Sequence, residues 1–394
     1  MTGDFFLNSL GMVNPLGAGK SEISAGLFAG RTSGMSSQSG WLPDRSVFVG
    51  QVRSKLPIIS HGLEIYASRN NRLLLSALLE IDMDIRTAIS KYGSDRVAVV
   101  LGTSTSGIGD NEDGISQKVA TGRFPETFHY ERQDNASLAY FARDYYRLTG
   151  PAMTISTACT SSAKTVASAR RLMQAGLCDA AIVGGADTLC KLTLNGFASL
   201  ELLSEELCLP FSRNRNGINI GEGAAVFLMS REESDVRIGG IGETSDAYHM
   251  STPDPEGVGA LNAMKIALGK SGMTASDIGY LNLHGTATVL NDRMEAGAVS
   301  KLLDQVPASS TKAMTGHTLG AAGSTELGFL WLAMQPEYSN NLLPPHIWDG
   351  QVDADIEKIN LVSPEEKKDQ RSRAMMTNSF AFGGNNISVI LVKE

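Results

Sequence analysis

One short stretch decides the fold: Ser156-Thr157-Ala158-Cys159-Thr160-Ser161-Ser162-Ala163. An apolar run at residues 152–156 leads into it and predicts a buried strand, while residues 160–175 predict a helix with a small, apolar face. Cys159 would then lie at a strand-to-helix turn, where free N–H groups and the helix dipole stabilise an anion. We therefore expect a lowered pKa and a nucleophilic role for this thiol, with a small buried core cysteine as the alternative.

The same alternation of apolar runs and helical patterns extends along the chain. Continuous apolar runs predict buried strands at residues 96–101, 180–183, 224–229, 280–283 and 387–392. Periodic patterns predict helices at residues 65–92, 136–148, 259–271, 292–303 and 319–334. The stretches expected to be least ordered are residues 32–43, 111–128 and 363–372. This alternation is typical of a layered α/β protein, and a strand, turn and helix recur around His317 as they do around Cys159.

Composition argues against several classes of function. The chain has 394 residues with 34 basic and 42 acidic ones, and its net charge of −8 disfavours general nucleic-acid binding. No apolar run approaches the roughly 20 residues of a membrane span. Four cysteines without a C-x-x-C pair disfavour a disulfide scaffold, and the scattered histidines give no metal motif. We expect a reducing cytoplasm, with Cys178, Cys190 and Cys208 assigned to packing.

Two further segments place a histidine at a turn beside small residues. The first is Leu283-His284-Gly285-Thr286-Ala287-Thr288, directly after an apolar run. The second begins at Lys312, contains His317 and Gly320, and is followed one turn later by Glu326. Either histidine alone is more often a structural residue than a catalyst. Together with Cys159, they supply a nucleophile and two neutral donors, a set that suits acyl transfer with anion stabilisation.

A glycine-rich turn near the C-terminus completes the constellation: Asn378-Ser379-Phe380-Ala381-Phe382-Gly383-Gly384-Asn385-Asn386. Its two glycines permit backbone conformations that other residues avoid. Such a turn can present a backbone N–H to a developing oxyanion. The alternative is a turn between two strands whose phenylalanines belong to the core.

In their residues and in their order along the chain, these four motifs resemble those of the β-ketoacyl-acyl-carrier-protein synthases of the Cys-His-His branch. Residues 11–17, 105–108, 183–187, 221–225, 246–250 and 341–345 also look like landmarks of that family. The resemblance implies a thiolase-type fold, in which two similar α/β halves form a five-layered αβαβα arrangement. We expect residues 1–230 to form the half with Cys159, and residues 231–394 to form the half with His284 and His317.

The resemblance also implies roles for individual residues. Cys159 would accept the acyl group, and its backbone N–H would form the oxyanion hole with that of Phe382. His284 and His317 would promote malonyl decarboxylation and stabilise the enolate. Lys312 and Glu326 would organise the site electrostatically. The implied substrate-binding residues are Thr286 and Thr288 for the pantetheine arm, Ile108 for the acyl pocket, Phe382 as a gate, and Phe380 and Gly383 beside it.

Partners and cofactors follow from the same resemblance. The enzyme would bind no cofactor or metal of its own, because its substrates are carried on the phosphopantetheine of acyl carrier protein. A homodimer is implied, or a heterodimer with a homologous synthase-like subunit. Arg69 and Arg72 are candidate contacts for the acidic carrier protein; a solvated helix face is the alternative.

The sequence departs from the usual family pattern at two places. Val289-Leu290-Asn291-Asp292 follows the first histidine motif where Pro, a small residue, Gly and Asp are common, and Ala381 replaces a frequent glycine. These changes favour a specialised polyene or polyketide synthase over housekeeping fatty-acid elongation.

Other members of the fold fit the sequence less well. A degradative thiolase needs a second cysteine, but none follows Cys208. The Cys-His-Asn branch is opposed by His317 and Lys312, and an inactive chain-length partner would lack Cys159. A pure binding module would not need this nucleophile and two histidines, but a complete site could still depend on an inactive homologue as its partner.

Overall fold

The computed structural model describes residues 3–369 and 372–394, and the strands within these ranges form two sheets. The strands are β1 Phe6–Asn14, β2 Gly17–Ala18, β3 Met35–Gln38, β4 Val47–Gly50, β5 Val97–Gly102, β6 Ala152–Ile155, β7 Ala180–Asp187, β8 Ile220–Gly221, β9 Gly223–Ser230, β10 Val236–Ser245, β11 Ile278–Asn282, β12 Ala308–Ser309, β13 Ala374–Ala381 and β14 Asn385–Lys393.

The large sheet consists of two halves with the same strand order. Its order is β12-β11-β13-β14-β10-β1-β9-β7-β5-β6, with β2 paired to β1. In the first half, β9 is antiparallel to β1 and β7, whereas β7, β5 and β6 are parallel. In the second half, β14 is antiparallel to β10 and β13, whereas β13, β11 and β12 are parallel. Each half therefore has the order 1-5-4-2-3 in its own chain numbering, and the halves meet at β1 and β10.

Helices cover both outer faces and fill the space between the halves. They are α1 Lys20–Phe28, α2 Arg69–Glu80, α3 Asp82–Tyr92, α4 Ile108–Thr121, α5 Ser137–Tyr146, α6 Ser161–Gln174, α7 Lys191–Ser199, α8 Val258–Ser271, α9 Val289–Leu303, α10 Lys312–Thr315, α11 Ala322–Met334 and α12 Pro336–Ser339. Helices α2, α3 and α5 pack on one side of the first half, and α8 packs on the far side of the second half with α9 beside it. Helices α6 and α11 contact each other in the centre, which gives five layers.

The two faces of a buried strand pack into two different hydrophobic cores. In β5, Val97, Val99 and Leu101 belong to the core beneath α2, α3 and α5, whereas Ala98 and Val100 face the central core. Because side chains alternate across a strand, a strand buried on both faces has no polar positions, which explains its uninterrupted apolar sequence. The expected fold class, a thiolase-type layered α/β protein with two similar halves, is confirmed.

The central layer depends on small residues where its two helices meet. All residues of α11 are buried, so its sequence is apolar or small around the whole helix. A Cβ at Gly323 would lie 2.6 Å from the Cβ of Ala163 in α6. A larger residue at either position would separate the helices, and these helices carry the turns that present Cys159 and follow His317.

Several local predictions need correction. The helix predicted at residues 65–92 is two helices, α2 and α3, because the chain turns at Ile81, where ψ is 19°. Residues 111–128 were expected to be poorly ordered, but α4 occupies most of them, with Asn111 and Gly114 buried. Of the stretch 363–372, residues 370 and 371 lie outside the described residues. Among the described helices, none combines the length and apolarity that a membrane span requires.

Candidate active site

Cys159 lies in a tight turn between β6 and α6. Ala158, directly before it, has a φ of +52°, in the left-handed region that side chains rarely adopt. The turn is held by Ser161, whose Oγ accepts from the N–H of Thr157 at 2.9 Å and donates to the carbonyl of Ala158 at 2.6 Å. This geometry places the sulfur at the N-terminal end of α6, and the side chain is only 8% exposed.

His317 is the side chain that contacts the sulfur. Its Nε2 lies 2.9 Å from Cys159 Sγ. Gly316, with a φ of +68°, makes the turn before it, and the N–H of His317 donates to the carbonyl of Asn219 at 2.7 Å. The histidine is therefore fixed by its backbone, and the central layer brings together two residues that are 158 positions apart in the sequence.

His284 forms the second wall of the site. Its ring lies edge-on to that of His317, with centroids 5.2 Å apart and planes at 85°. The sulfur of Cys159 and one ring nitrogen from each of His284 and His317 all lie within 4.8 Å of one another. The fold thus brings together the three residues that the sequence selected. One thiol and two imidazoles are also donor types that zinc accepts, so these are the residues that could hold a metal.

A buried ion pair between Lys312 and Glu326 contacts the backbone of His284 and places a positive charge near both histidine rings. Lys312 Nζ donates to the carbonyl of His284 and to Glu326 Oε1, each at 2.5 Å. Burial is the largest cause lowering the pKa of both His284 and His317, and the positive charge of Lys312 lowers it further. Both rings are therefore held neutral. Burial raises the pKa of Glu326, against the opposing effect of Lys312.

The lowered thiol pKa expected for Cys159 is wrong. Burial, the largest cause, raises its pKa to about 12. Lys312 and the backbone N–H groups of Phe382 and Cys159 lower the pKa, but by less. The cysteine and His317 thus form a neutral thiol–imidazole pair at rest, because desolvation of a thiolate outweighs the stabilising groups around it.

The backbone N–H groups of Cys159 and Phe382 lie close enough to the sulfur to lower the pKa of the thiol. Phe382 is held by the turn at the end of β13, where Gly383 and Gly384 have φ values of +78° and +73°. Glycine adopts this region without the steric cost that a Cβ brings, which favours it at both positions. The role of the Cys159 and Phe382 N–H groups as oxyanion-hole donors stays a prediction.

A cleft with an empty volume of about 1310 Å³, including its mouth, leads to the sulfur. Of the predicted substrate-binding residues, Thr286, Thr288 and Phe380 line it, together with Phe382. Ile108 and Gly383 do not line it. Ile108 begins α4, and Gly383 faces away with its N–H donating to the carbonyl of Met250.

Two buried carboxylates, Glu295 and Asp292, were not predicted as site residues. Both oxygens of Glu295 accept backbone N–H groups, from His284 at 2.8 Å and from Gly285 at 2.7 Å. Asp292 accepts from the N–H groups of Phe211 and Ala287 in the same way. Burial raises the pKa of Glu295 to about 7 and that of Asp292 to about 6. The sequence signal that could have identified them is a pair of acidic residues one turn apart on α9, directly after the histidine motif.

Arg69 and Arg72, the candidate contacts for carrier protein, both have hydrogen-bond partners within the protein, and a contact with carrier protein stays a prediction. Arg69 forms a two-pronged ion pair with Glu222, whose side chain is fully buried. Arg72 donates to the backbone carbonyls of Leu56 and Pro57. Both side chains are partly exposed, so each guanidinium combines an internal hydrogen bond with some access to solvent.

The sequence matches the family described as "Beta-ketoacyl synthase, N-terminal domain" over residues 65–235 and "Beta-ketoacyl synthase, C-terminal domain" over residues 236–347. The chain belongs to the β-ketoacyl synthase family. This synthase is 30% identical to a 3-oxoacyl-[acyl-carrier-protein] synthase 2 of Coxiella burnetii, over 98% of the chain and 97% of that relative. A similarly named synthase of Rhizobium meliloti is 35% identical over 62% of each protein. The expected class, an acyltransferase-type condensing enzyme, is confirmed at the level of the family.

Solved structures give the same result for the fold. A chain in the complex of the ketosynthase ApeO with its chain length factor ApeC, from Xenorhabdus doucetiae, is 42% identical to this synthase. Its TM-score is 0.94, and the match covers 100% of this chain and 98% of that chain. A β-ketoacyl synthase of Burkholderia phymatum, at 24% identity, has a TM-score of 0.89 over both full chains and so supports the fold alone.

Proposed function

We propose that this synthase catalyses the decarboxylative condensation of an acyl group on Cys159 with a malonyl group carried by acyl carrier protein. The observation that carries the proposal is the 2.9 Å contact between Cys159 Sγ and His317 Nε2, with His284 against the same space. A thiol beside a neutral imidazole can attack a thioester, and a second neutral imidazole provides a further donor for an oxyanion.

In the first half-reaction, the sulfur of Cys159 attacks the carbonyl carbon of the acyl thioester. Because the thiol is neutral, its proton moves to His317 Nε2 as the carbon–sulfur bond forms. The backbone N–H groups of Cys159 and Phe382 hold the resulting oxyanion. The intermediate then expels the pantetheine thiolate. His317 keeps on Nε2 the proton that it took from the thiol, and its Nδ1 proton passes through solvent to the leaving thiolate.

In the second half-reaction, the malonyl carboxylate leaves as CO₂, and its bonding electrons form an enolate. His284 and His317, both held neutral beside Lys312, donate from Nε2 to the enolate oxygen. The carbanion attacks the acyl carbonyl on Cys159, and the two backbone N–H groups again hold the oxyanion. The tetrahedral intermediate expels the Cys159 thiolate, which is then protonated.

Further roles follow from position along the cleft. Thr286 and Thr288, whose hydroxyls lie 2.9 Å apart, are proposed to contact the pantetheine arm. Phe382 is proposed as a gate between this cleft and an acyl pocket that Ile108 would line. We also propose a division into halves at residues 230 and 231, between β9 and β10, and a reducing cytoplasmic setting that keeps Cys159 as a thiol. The enzyme would need no cofactor or metal of its own.

We further propose that the functional form is a heterodimer with a homologous, chain-length-factor-like subunit, making a specialised polyene or polyketide product. The similarity to the ApeO–ApeC complex supports this proposal. So does β6, the edge strand of the large sheet, in which Met153 is 37% exposed and no residue is fully buried. An unpaired apolar edge beside the nucleophile is suited to pairing with another chain. A homodimer is the alternative.

Intact-mass measurement with acyl- and malonyl-carrier proteins tests the reaction. The wild-type chain, alone or coexpressed with a homologue, should gain one acyl group, and addition of malonyl-carrier protein should remove it as an extended product. Cys159→Ala should do neither. Acylation that persists in this variant would refute the assignment of Cys159. Size-exclusion chromatography of the same two preparations distinguishes the heterodimer from the homodimer.

A further inference from the structure

A third histidine, His346, lies behind the site and does not line the cleft. Its side chain is 2% exposed and both ring nitrogens have backbone partners. Nδ1 lies 3.1 Å from the N–H of Ser310, and Nε2 lies 3.0 Å from the carbonyl of Pro210. An amide can only donate and a carbonyl can only accept, so Nδ1 is the acceptor and Nε2 carries the proton.

The two segments that His346 joins enclose Gly285, the residue after His284. A Cβ at Gly285 would lie 2.5 Å from Ser310 Cβ and 2.9 Å from the Phe211 ring. Ser310 and Phe211 therefore both pack closely against Gly285. The side chain of His346 links Ser310 directly to Pro210, the residue before Phe211.

Ser310 also connects directly to the catalytic segments. Its Oγ donates to the carbonyl of Gly285 at 2.7 Å and accepts from the N–H of Lys312 at 3.3 Å. A shift of Ser310 would therefore move the backbone of the His284 segment and that of Lys312 together. The backbone of the Cys159 turn has no such bond to Ser310, because the hydrogen bonds that hold this backbone lie within residues 157–161.

We infer that His346 is a positioning residue, which fixes the His284–Gly285 backbone through Ser310 and thereby aligns His284 for the decarboxylation half-reaction. This inference rests on the proposed function of the same site. The ring acts as a neutral acceptor and donor. Burial lowers its pKa to about 4, and a proton on Nδ1 would point at the N–H of Ser310.

Two conservative substitutions separate its two hydrogen bonds. In His346→Asn, the side-chain oxygen can occupy the place of Nδ1 and keep the bond from Ser310. In His346→Gln, the side-chain nitrogen can occupy the place of Nε2 and keep the bond to Pro210. We expect transfer from preformed acyl-Cys159 to malonyl-carrier protein to fall on the order of 10- to 100-fold in His346→Gln, and less than about threefold in His346→Asn. Acylation of Cys159 should change less than about threefold in either variant.

The measurements are single-turnover intact-mass kinetics of the two half-reactions, with thermal unfolding of each variant. A role in stability alone predicts equal losses in both half-reactions, tracking the melting temperature, and would overturn the inference. So would equal rates for the two variants, or failure of both to fold. If the wild-type chain neither accepts an acyl group nor transfers it, the proposed function fails instead. A competent wild type with no bias between the variants refutes only the role of His346.

Discussion

Alkylation of Cys159 by iodoacetamide should accelerate about tenfold for each pH unit between pH 6 and pH 9. The reactive species is the thiolate, and burial raises the pKa of this thiol to about 12. At pH 7 the thiolate fraction is then about 10⁻⁵, against about 3% for a cysteine with an ordinary pKa of about 8.5. The expected rate at pH 7 is therefore about three orders of magnitude below that of an exposed cysteine, and no plateau should appear below pH 9.

The assay is intact-mass spectrometry after timed exposure at each pH, with circular dichroism to verify that the protein stays folded. Cys159→Ser is the matched control, because it reports alkylation of Cys178, Cys190 and Cys208, which are also buried. A rate that is already high and flat from pH 6 to pH 8 would refute the reasoning. It would mean that Cys159 and His317 form a thiolate–imidazolium pair at rest.

Two pairs of substitutions test other contacts. His284→Ala should lower transfer to malonyl-carrier protein by on the order of 100-fold while changing acylation less than about threefold; His317→Ala should lower both, because only His317 contacts the sulfur. Equal effects of the two variants in single-turnover assays would contradict this separation. Arg69→Ala should reduce the free energy of unfolding by about 3 kcal/mol in chemical denaturation, because it leaves the buried carboxylate of Glu222 without its cation. Arg72→Ala, which removes hydrogen bonds to carbonyls only, should reduce it by about 1 kcal/mol, and the reverse order would exclude this account.

The sequence was most informative where structure is decided locally. The strand, turn and helix around Cys159 are readable because an apolar run, small residues and a periodic pattern follow one another within about 20 residues. The same is true of His284 after β11 and of His317 before α11. These local settings, together with the family resemblance, were enough to expect two similar halves and a shared site.

Properties that depend on distant segments could not be predicted. The pKa of Cys159 depends on how completely the chain excludes water around it, and no local pattern shows that burial. Arg69 lies 153 residues from Glu222, so its exposed-looking position at the start of a helix gave no sign of the pair. His346 acquires its role from Ser310 and Pro210, 36 and 136 residues away.

The neutral state of the site is a consequence of what condensation requires. A thiolate–imidazolium pair would make Cys159 more reactive at rest, but it would place two charged groups in a site where burial disfavours the charged form of each. Burial and the charge of Lys312 instead keep His284 and His317 neutral. Each neutral ring can then donate a hydrogen bond from Nε2 to the enolate oxygen. The cost is a thiol with a high pKa, and it is offset when the thiol is attacking, because His317 accepts the proton in the same step. After acylation the sulfur carries no charge at all. One set of groups can therefore serve two half-reactions whose electrostatic demands would otherwise conflict.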